Sequence, residues 1–237
     1  MRRILAQLPA QGDPVRAENE KRYLKSGFVH IGVTVPALRK VAVSAVKAKP
    51  TRDEVVALAE ALWGVTQDGR PVHEARMAAI EVLVKRVALL ESRDLAVAER
   101  FVRDSTSWVY VDALAEKVVG RLAVRHPALG KVLDGWVDDP YMWIRRTAVL
   151  ALLPGVRAGN PDLGRIDRFA DVLIGEREFF IRKAVGWVLR ELSKKDPEWV
   201  TRWVEARTGV ISGVTLREAV RWLPEEDAGR LRAAQLR

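Results

Sequence analysis

The chain has 237 residues, 49% of them apolar, enough to bury a substantial core. Its 40 lysines and arginines outnumber 31 acidic residues, and the net charge of +9 favours a polyanionic partner, nucleic acid ahead of a membrane surface. With no cysteine, disulfides, thiolate nucleophiles and Cys-based zinc or iron–sulfur sites are excluded.

The first residues, Met1 to Leu8, lack the long apolar run of a signal peptide. No stretch reaches the length of a membrane span. A soluble, cytoplasmic protein is therefore expected. The histidines, His30, His73 and His126, lie far apart and lack the spacing of a helical metal pair, so no metal site is expected.

Apolar residues recur at three-and-four spacing along the chain, and strand signals are nearly absent. Stop signals follow one another at Lys49-Pro50, Asp68-Gly69-Arg70-Pro71, His126-Pro127, Asp139-Pro140, Gly159-Asn160-Pro161, Asp196-Pro197 and Leu223-Pro224. They predict helices of roughly ten to fifteen residues joined by short turns, in a single domain over 1–237. Within this punctuation a triplet repeats: Arg39-Lys40-Val41, Arg76-Met77-Ala78, Asp112-Ala113-Leu114, Arg146-Thr147-Ala148, Arg182-Lys183-Ala184 and Arg217-Glu218-Ala219. A period in the mid-thirties marks an all-α, HEAT-like or ARM-type solenoid of about six helix pairs. Two readings of the row stay open. It lines a concave basic groove with Asp112 near its middle, or its arginines tie neighbouring repeats together.

Tryptophan supplies half of the aromatic residues. Trp63, Trp136, Trp199, Trp203 and Trp222 sit in amphipathic patterns and are expected in the core. Trp108, Trp143 and Trp187 instead accompany the repeat. Trp108 lies one helical turn before Asp112, and Trp143 and Trp187 lie three residues before Arg146 and Arg190, so each pair shares a helix face. Three such pairs in register suggest one composite surface; core with a charged rim is the plainer alternative. Aromatic faces pack on bases or sugars, and cationic side chains hold phosphates. A carboxylate among phosphates is repulsive unless it has a task. Stabilising the oxocarbenium-like sugar of glycosidic cleavage is such a task. A base already cationic through N-alkylation leaves without a general acid, so one carboxylate suffices.

These residues resemble the AlkD-type family of DNA alkylation repair glycosylases over nearly the whole chain. The resemblance is carried by Ser107-Trp108-x-x-x-Asp112, by Trp143-Ile144-Arg145-Arg146-Thr147-Ala148 and by the run from Phe179 to Glu191. Tyr23-Leu24-Lys25, Ile31-Gly32 to Pro36 and Leu216-Arg217-Glu218-Ala219 support it. It implies a monofunctional glycosylase that excises positively charged N3- and N7-alkylpurines from duplex DNA, without metal or redox cofactor, acting as a monomer. By the same resemblance Asp112 is the catalytic carboxylate, and Trp108 and Trp187 pack against the lesion's deoxyribose, helped by Tyr23. Arg146 holds the backbone near the lesion, with Arg190 and Lys25 near phosphate. Arg145, Arg182, Lys183, Trp143 and Thr34 are further DNA contacts. Val109 departs from the acidic residue that relatives often carry there. The competing expectations are a non-catalytic HEAT-repeat binder of damaged or branched DNA and a scaffold for an acidic protein partner.

Overall fold

Local capping chemistry cuts the chain into its helices. The Asp13 carboxylate accepts from the N–H groups of Val15 and Arg16 and opens α2 (Pro14–Leu24), with Pro14 in its first turn. Thr51 and Glu54 close a capping box at the start of α4 (Arg52–Trp63). Asp162, Asp196 and Ser212 cap α12 (Leu163–Leu173), α14 (Pro197–Glu205) and α15 (Gly213–Ala219). Each such cap satisfies N–H groups that the helix leaves open and is worth about 1 kcal/mol.

The computed structural model describes residues 1–46 and 48–235. The fold is all-α, with one short β-hairpin among the described residues, Thr66–Gln67 (β1) against Arg70–Pro71 (β2). Asp68 and Gly69 form its turn, both at positive φ, as a two-residue hairpin loop of this kind requires. No described helix is long and apolar enough to cross a membrane. Several helices are shorter than the periodicity predicts; α11 spans only Leu153–Arg157.

The chain forms two compact units, Met1–Leu114 and Ala115–Arg237. The first holds α1 (Arg2–Gln7), α2, α3 (Val35–Ser44), α4, the hairpin, α5 (His73–Lys85), α6 (Leu95–Arg103) and α7 (Trp108–Leu114). Its centre is α5, which is buried continuously from His73 to Leu83 and packs against α3, α4 and α7. Burial on all sides leaves the charged residues of α5 without water, so each must find a partner inside. Glu74, 0% exposed, accepts from the N–H groups of Ile31, Gly32 and Val33, the shortest of these bonds being 2.6 Å to Gly32. Gly32 lies at φ +86, and a Cβ there would stand 2.0 Å from the Asp13 carbonyl oxygen. Only glycine lets the chain turn so that successive amides converge on one carboxylate. The Arg76 guanidinium lies over the rings of Phe28 and Trp63 and donates to the Asp104 carbonyl at 2.9 Å. Glu81 takes a two-pronged contact from Arg39 at 2.8 and 2.9 Å.

The second unit opens with a π turn, Ala115–Val119, followed by α8 (Gly120–Arg125), α9 (Gly130–Trp136), α10 (Met142–Leu150) and α11. Then come α12, α13 (Phe179–Ser193), α14, α15 and α16 (Glu225–Ala234). Here α13 is the central helix, packed against α10, α11, α12, α14 and α15. Arg146 on α10 is 3% exposed and donates to the Phe180 carbonyl at the start of α13. Arg39, Arg76 and Arg146 thus each reach from one repeat to the next. For these three positions the tying reading of the repeated arginines is the one realised. Trp63, Trp136 and Trp203 are buried, but Trp222 is not core: it is 57% exposed, with the Lys194 ammonium 5.5 Å from its ring.

Glu74→Ala leaves three amides facing an apolar void. The expected loss is roughly 3 kcal/mol or more of unfolding free energy, measured by urea denaturation. A midpoint equal to that of the parent would show that the amides find other partners.

Candidate functional site

Helix α7 follows Ser105-Thr106-Ser107. Ser105 is buried, and its hydroxyl donates to the Phe101 carbonyl at 2.7 Å. Tyr110, Val111 and Leu114 form the inner face of α7, whereas Trp108 and Asp112 are half-buried. Their four-residue spacing sets both side chains on one face, one turn apart. Tyr23, in the last turn of α2 and 74% exposed, meets the Trp108 ring edge-on with centroids 6.4 Å apart. Lys25 follows as the C-cap of α2 in the left-handed region, φ 49, and is exposed. Thr34, also exposed, caps α3 by accepting from the Ala37 N–H.

What holds α7 in place is Tyr110. Its hydroxyl is 2.7 Å from His73 Nδ1 on α5, and its ring packs on Phe28 and Trp63. Burial pushes the His73 pKa down to about 3 and raises that of the Tyr110 hydroxyl, so both groups are neutral at physiological pH. Trp108 and Asp112 therefore stand on a neutral, hydrogen-bonded base.

In the second unit the expected residues divide. Trp143 is a correction to the composite-surface expectation: at 6% exposure, packed 5.1 Å from Phe180, it belongs to the core. Arg145 contacts Glu176 at 2.9 Å and donates to the carbonyls of Asp139 and Pro140. Arg182 donates to the Glu176 carbonyl at 2.6 Å. The exposed face of α13 carries a different set. Phe179 and Lys183 are exposed and Trp187 half-buried, at successive four-residue steps. The Lys183 ammonium is 5.9 Å from the Phe179 ring centroid, and the Arg190 guanidinium is 5.9 Å from that of Trp187. Glu218 on α15 pairs with Arg190 and lies 3.3 Å from Lys183. The close approach of α15 depends on Gly186, where a Cβ would stand 2.7 Å from Glu218 Cβ and 3.0 Å from the Thr215 carbonyl.

Sequence reasoning missed two members of this face. Phe179 counts in the sequence only as part of the family-like run, and Glu218 only as a repeat neighbour of Arg217. Distance along the chain is not distance in the fold: His30 and His73 stack with centroids 4.4 Å apart, and donor atoms of Glu20, His30 and His73 lie within 4.8 Å of one another.

A family model described as DNA alkylation repair enzyme matches residues 4–223. No curated protein matches the chain. Among solved structures, the chain is similar to a protein described as a predicted DNA alkylation repair enzyme from Enterococcus faecalis, at 23% identity and TM-score 0.79, covering 91% of this chain and 98% of that one. It is also similar to AlkD2 from Streptococcus mutans, at 18% identity and TM-score 0.61, covering 87% and 99%. The protein smu.31 from Streptococcus mutans UA159 aligns at 17% identity and TM-score 0.60, covering 92% and 100%. At these identities the structures establish the shared all-α fold.

Gly186→Val forces α15 away from α13 and is expected to cost about 1–3 kcal/mol of stability, read from chemical denaturation. A variant as stable as the parent would mean that α15 yields without loss.

Proposed function

Since the chain belongs to the DNA alkylation repair enzyme family, we propose that it is a monofunctional, monomeric DNA glycosylase. Its substrates are positively charged N3- and N7-alkylated purines in duplex DNA. The observation that carries this reading is the pairing of Trp108 and Asp112 on one half-exposed face of α7, with the Tyr23 ring set edge-on to the indole.

The chemistry follows from charge. Alkylation at N3 or N7 places a positive charge on the purine. When the C1′–N bond breaks, its electron pair goes to the base, which leaves neutral and needs no proton. The charge passes to the sugar, which becomes oxocarbenium-like. The Asp112 carboxylate stabilises that charge and orients a water molecule. The water oxygen bonds to C1′, and its proton goes to the carboxylate. Trp108 and Tyr23 pack on the sugar, and their ring faces add attraction for the developing cation.

Lys25 is assigned to phosphate in the first unit; in the second, Lys183 and Arg190 are assigned to phosphate and Trp187 to packing on DNA. Phosphate binding by Lys183 and Arg190 competes with Glu218. Arg145, Arg146 and Arg182 are engaged with carbonyl groups of their own unit. They are assigned to holding α10 and α13 in place rather than to phosphate. Thr34 is assigned to fixing the start of α3.

Asp112→Asn is expected to slow release of 7-methylguanine from alkylated duplex DNA by about a hundredfold or more, while duplex binding persists. Mass analysis of the released bases measures this, and equal rates for variant and parent would remove Asp112 from the mechanism. Lys25→Ala is expected to lower the log–log salt slope of DNA affinity by about one, the loss of a single phosphate contact. Arg146→Ala should leave that slope in place and lower the unfolding midpoint. The opposite assignment of the two effects would return Arg146 to the phosphate role.

A further inference from the structure

We propose that Glu20, His30 and His73 form a binding site for a zinc-class divalent cation that ties α2 to α5. The three residues come from separate segments of the first unit: the body of α2, the stretch before α3, and the first residue of α5. Their donor atoms already lie within 4.8 Å of one another, and around a zinc-sized ion ligand atoms stand roughly 3.3 Å apart. Two imidazoles and a carboxylate are a donor set suited to zinc and its borderline neighbours, with a further coordination position left for water.

The strongest evidence is what these groups lack. Both ring nitrogens of His30 and Glu20 Oε2 are buried without a hydrogen-bond partner. Leaving a buried polar atom unsatisfied is costly, and three in one cluster call for a common explanation. Glu20 Oε1 is already engaged by Arg16, so the carboxylate keeps one oxygen for a cation and has its orientation fixed by the other contact. His73 Nδ1 faces the Tyr110 hydroxyl at 2.7 Å, the outer contact that typically sets the tautomer and the ring plane of a ligating histidine. His73 thereby keeps Nε2 for the cation.

One movement is required. The His30 and His73 rings are stacked 11° from parallel, and parallel rings cannot both direct an in-plane lone pair at one ion. His30 must turn out of the stack, and since neither of its nitrogens is bonded, the turn breaks no hydrogen bond. His30 also lines a cleft of about 320 Å³ beside Ala17, Lys21, Phe28 and Arg70, which gives an ion an entry path and the ring room to rotate. Glu20 precedes Tyr23 by less than one turn of α2. An ion bound here thus fixes the helix end that presents Tyr23 to Trp108. The site itself stands independently of the glycosylase reading.

The test uses the full chain, first stripped with a chelator, then titrated with Co²⁺ and followed by visible absorption. The expected result is ligand-field bands that saturate at one equivalent and are bleached by Zn²⁺, with a rise in Tm on Zn²⁺ addition. His30→Ala and Glu20→Gln should each weaken binding at least tenfold. His126→Ala, in the other unit, should leave it intact. Absence of both bands and a Tm rise in the parent overturns the proposal. So does binding that survives in both cluster variants, or binding lost in His126→Ala, either of which identifies an adventitious ion elsewhere. Circular dichroism of the stripped variants separates loss of ligation from loss of fold.

Discussion

Burying a helix on every side is the constraint from which the first unit follows. Helix α5 carries Glu74, Arg76 and Glu81 inside the protein, where no water can satisfy them. Each one recruits a partner from another element. Glu74 gathers the amides of 31–33, Arg76 reaches the Asp104 carbonyl, and Glu81 holds Arg39. These contacts are directional and hence fix register, which apolar packing alone does loosely. The segment before α7 is located by Arg76 and the segment before α3 by Glu74. The two flanks of the candidate site therefore share one buried support.

The candidate site lies on the margin of the core. Tyr110 faces inward from the same helix that shows Trp108 and Asp112 outward. A change in how Tyr110 seats on His73 would be transmitted along α7 without any intermediary. The second unit follows the same plan on α13: Ala184, Val185 and Val188 are buried, while Phe179, Lys183 and Trp187 face outward. In both units an aromatic residue and an ionisable one stand a turn apart on a helix whose other side is core.

How much of this was legible in the sequence depended on range. Stop signals are local, so Lys49-Pro50 and Asp196-Pro197, read as breaks between helices, fall just before or at the starts of α4 and α14. The four-residue step from Trp108 to Asp112 was equally readable. Burial is a different matter. Trp143 and Trp187 stand in the same spacing to an arginine, yet only Trp143 has Phe180 packed upon it, and nothing near Trp143 in the chain says so. Trp222 has the pattern of a core residue but ends in a short 3-10 turn that leaves it outside. The repeated arginines advertised a period, while the carbonyl that Arg146 meets comes from the start of a later helix. The stacked histidines depend on the path of the chain between His30 and His73, which no spacing rule encodes.

The C-cap of α2 has an evolutionary consequence. A left-handed backbone at a helix end is ordinarily given to glycine, because a side chain there costs roughly 1 kcal/mol. This chain places Lys25 in that conformation and its glycine two positions later, at Gly27. Selection for thermal robustness alone would exchange the lysine. A lineage that keeps it retains a small permanent conformational penalty, so descendants chosen only for heat resistance should drift away from lysine at this position, and the phosphate contact proposed for Lys25 would oppose that drift.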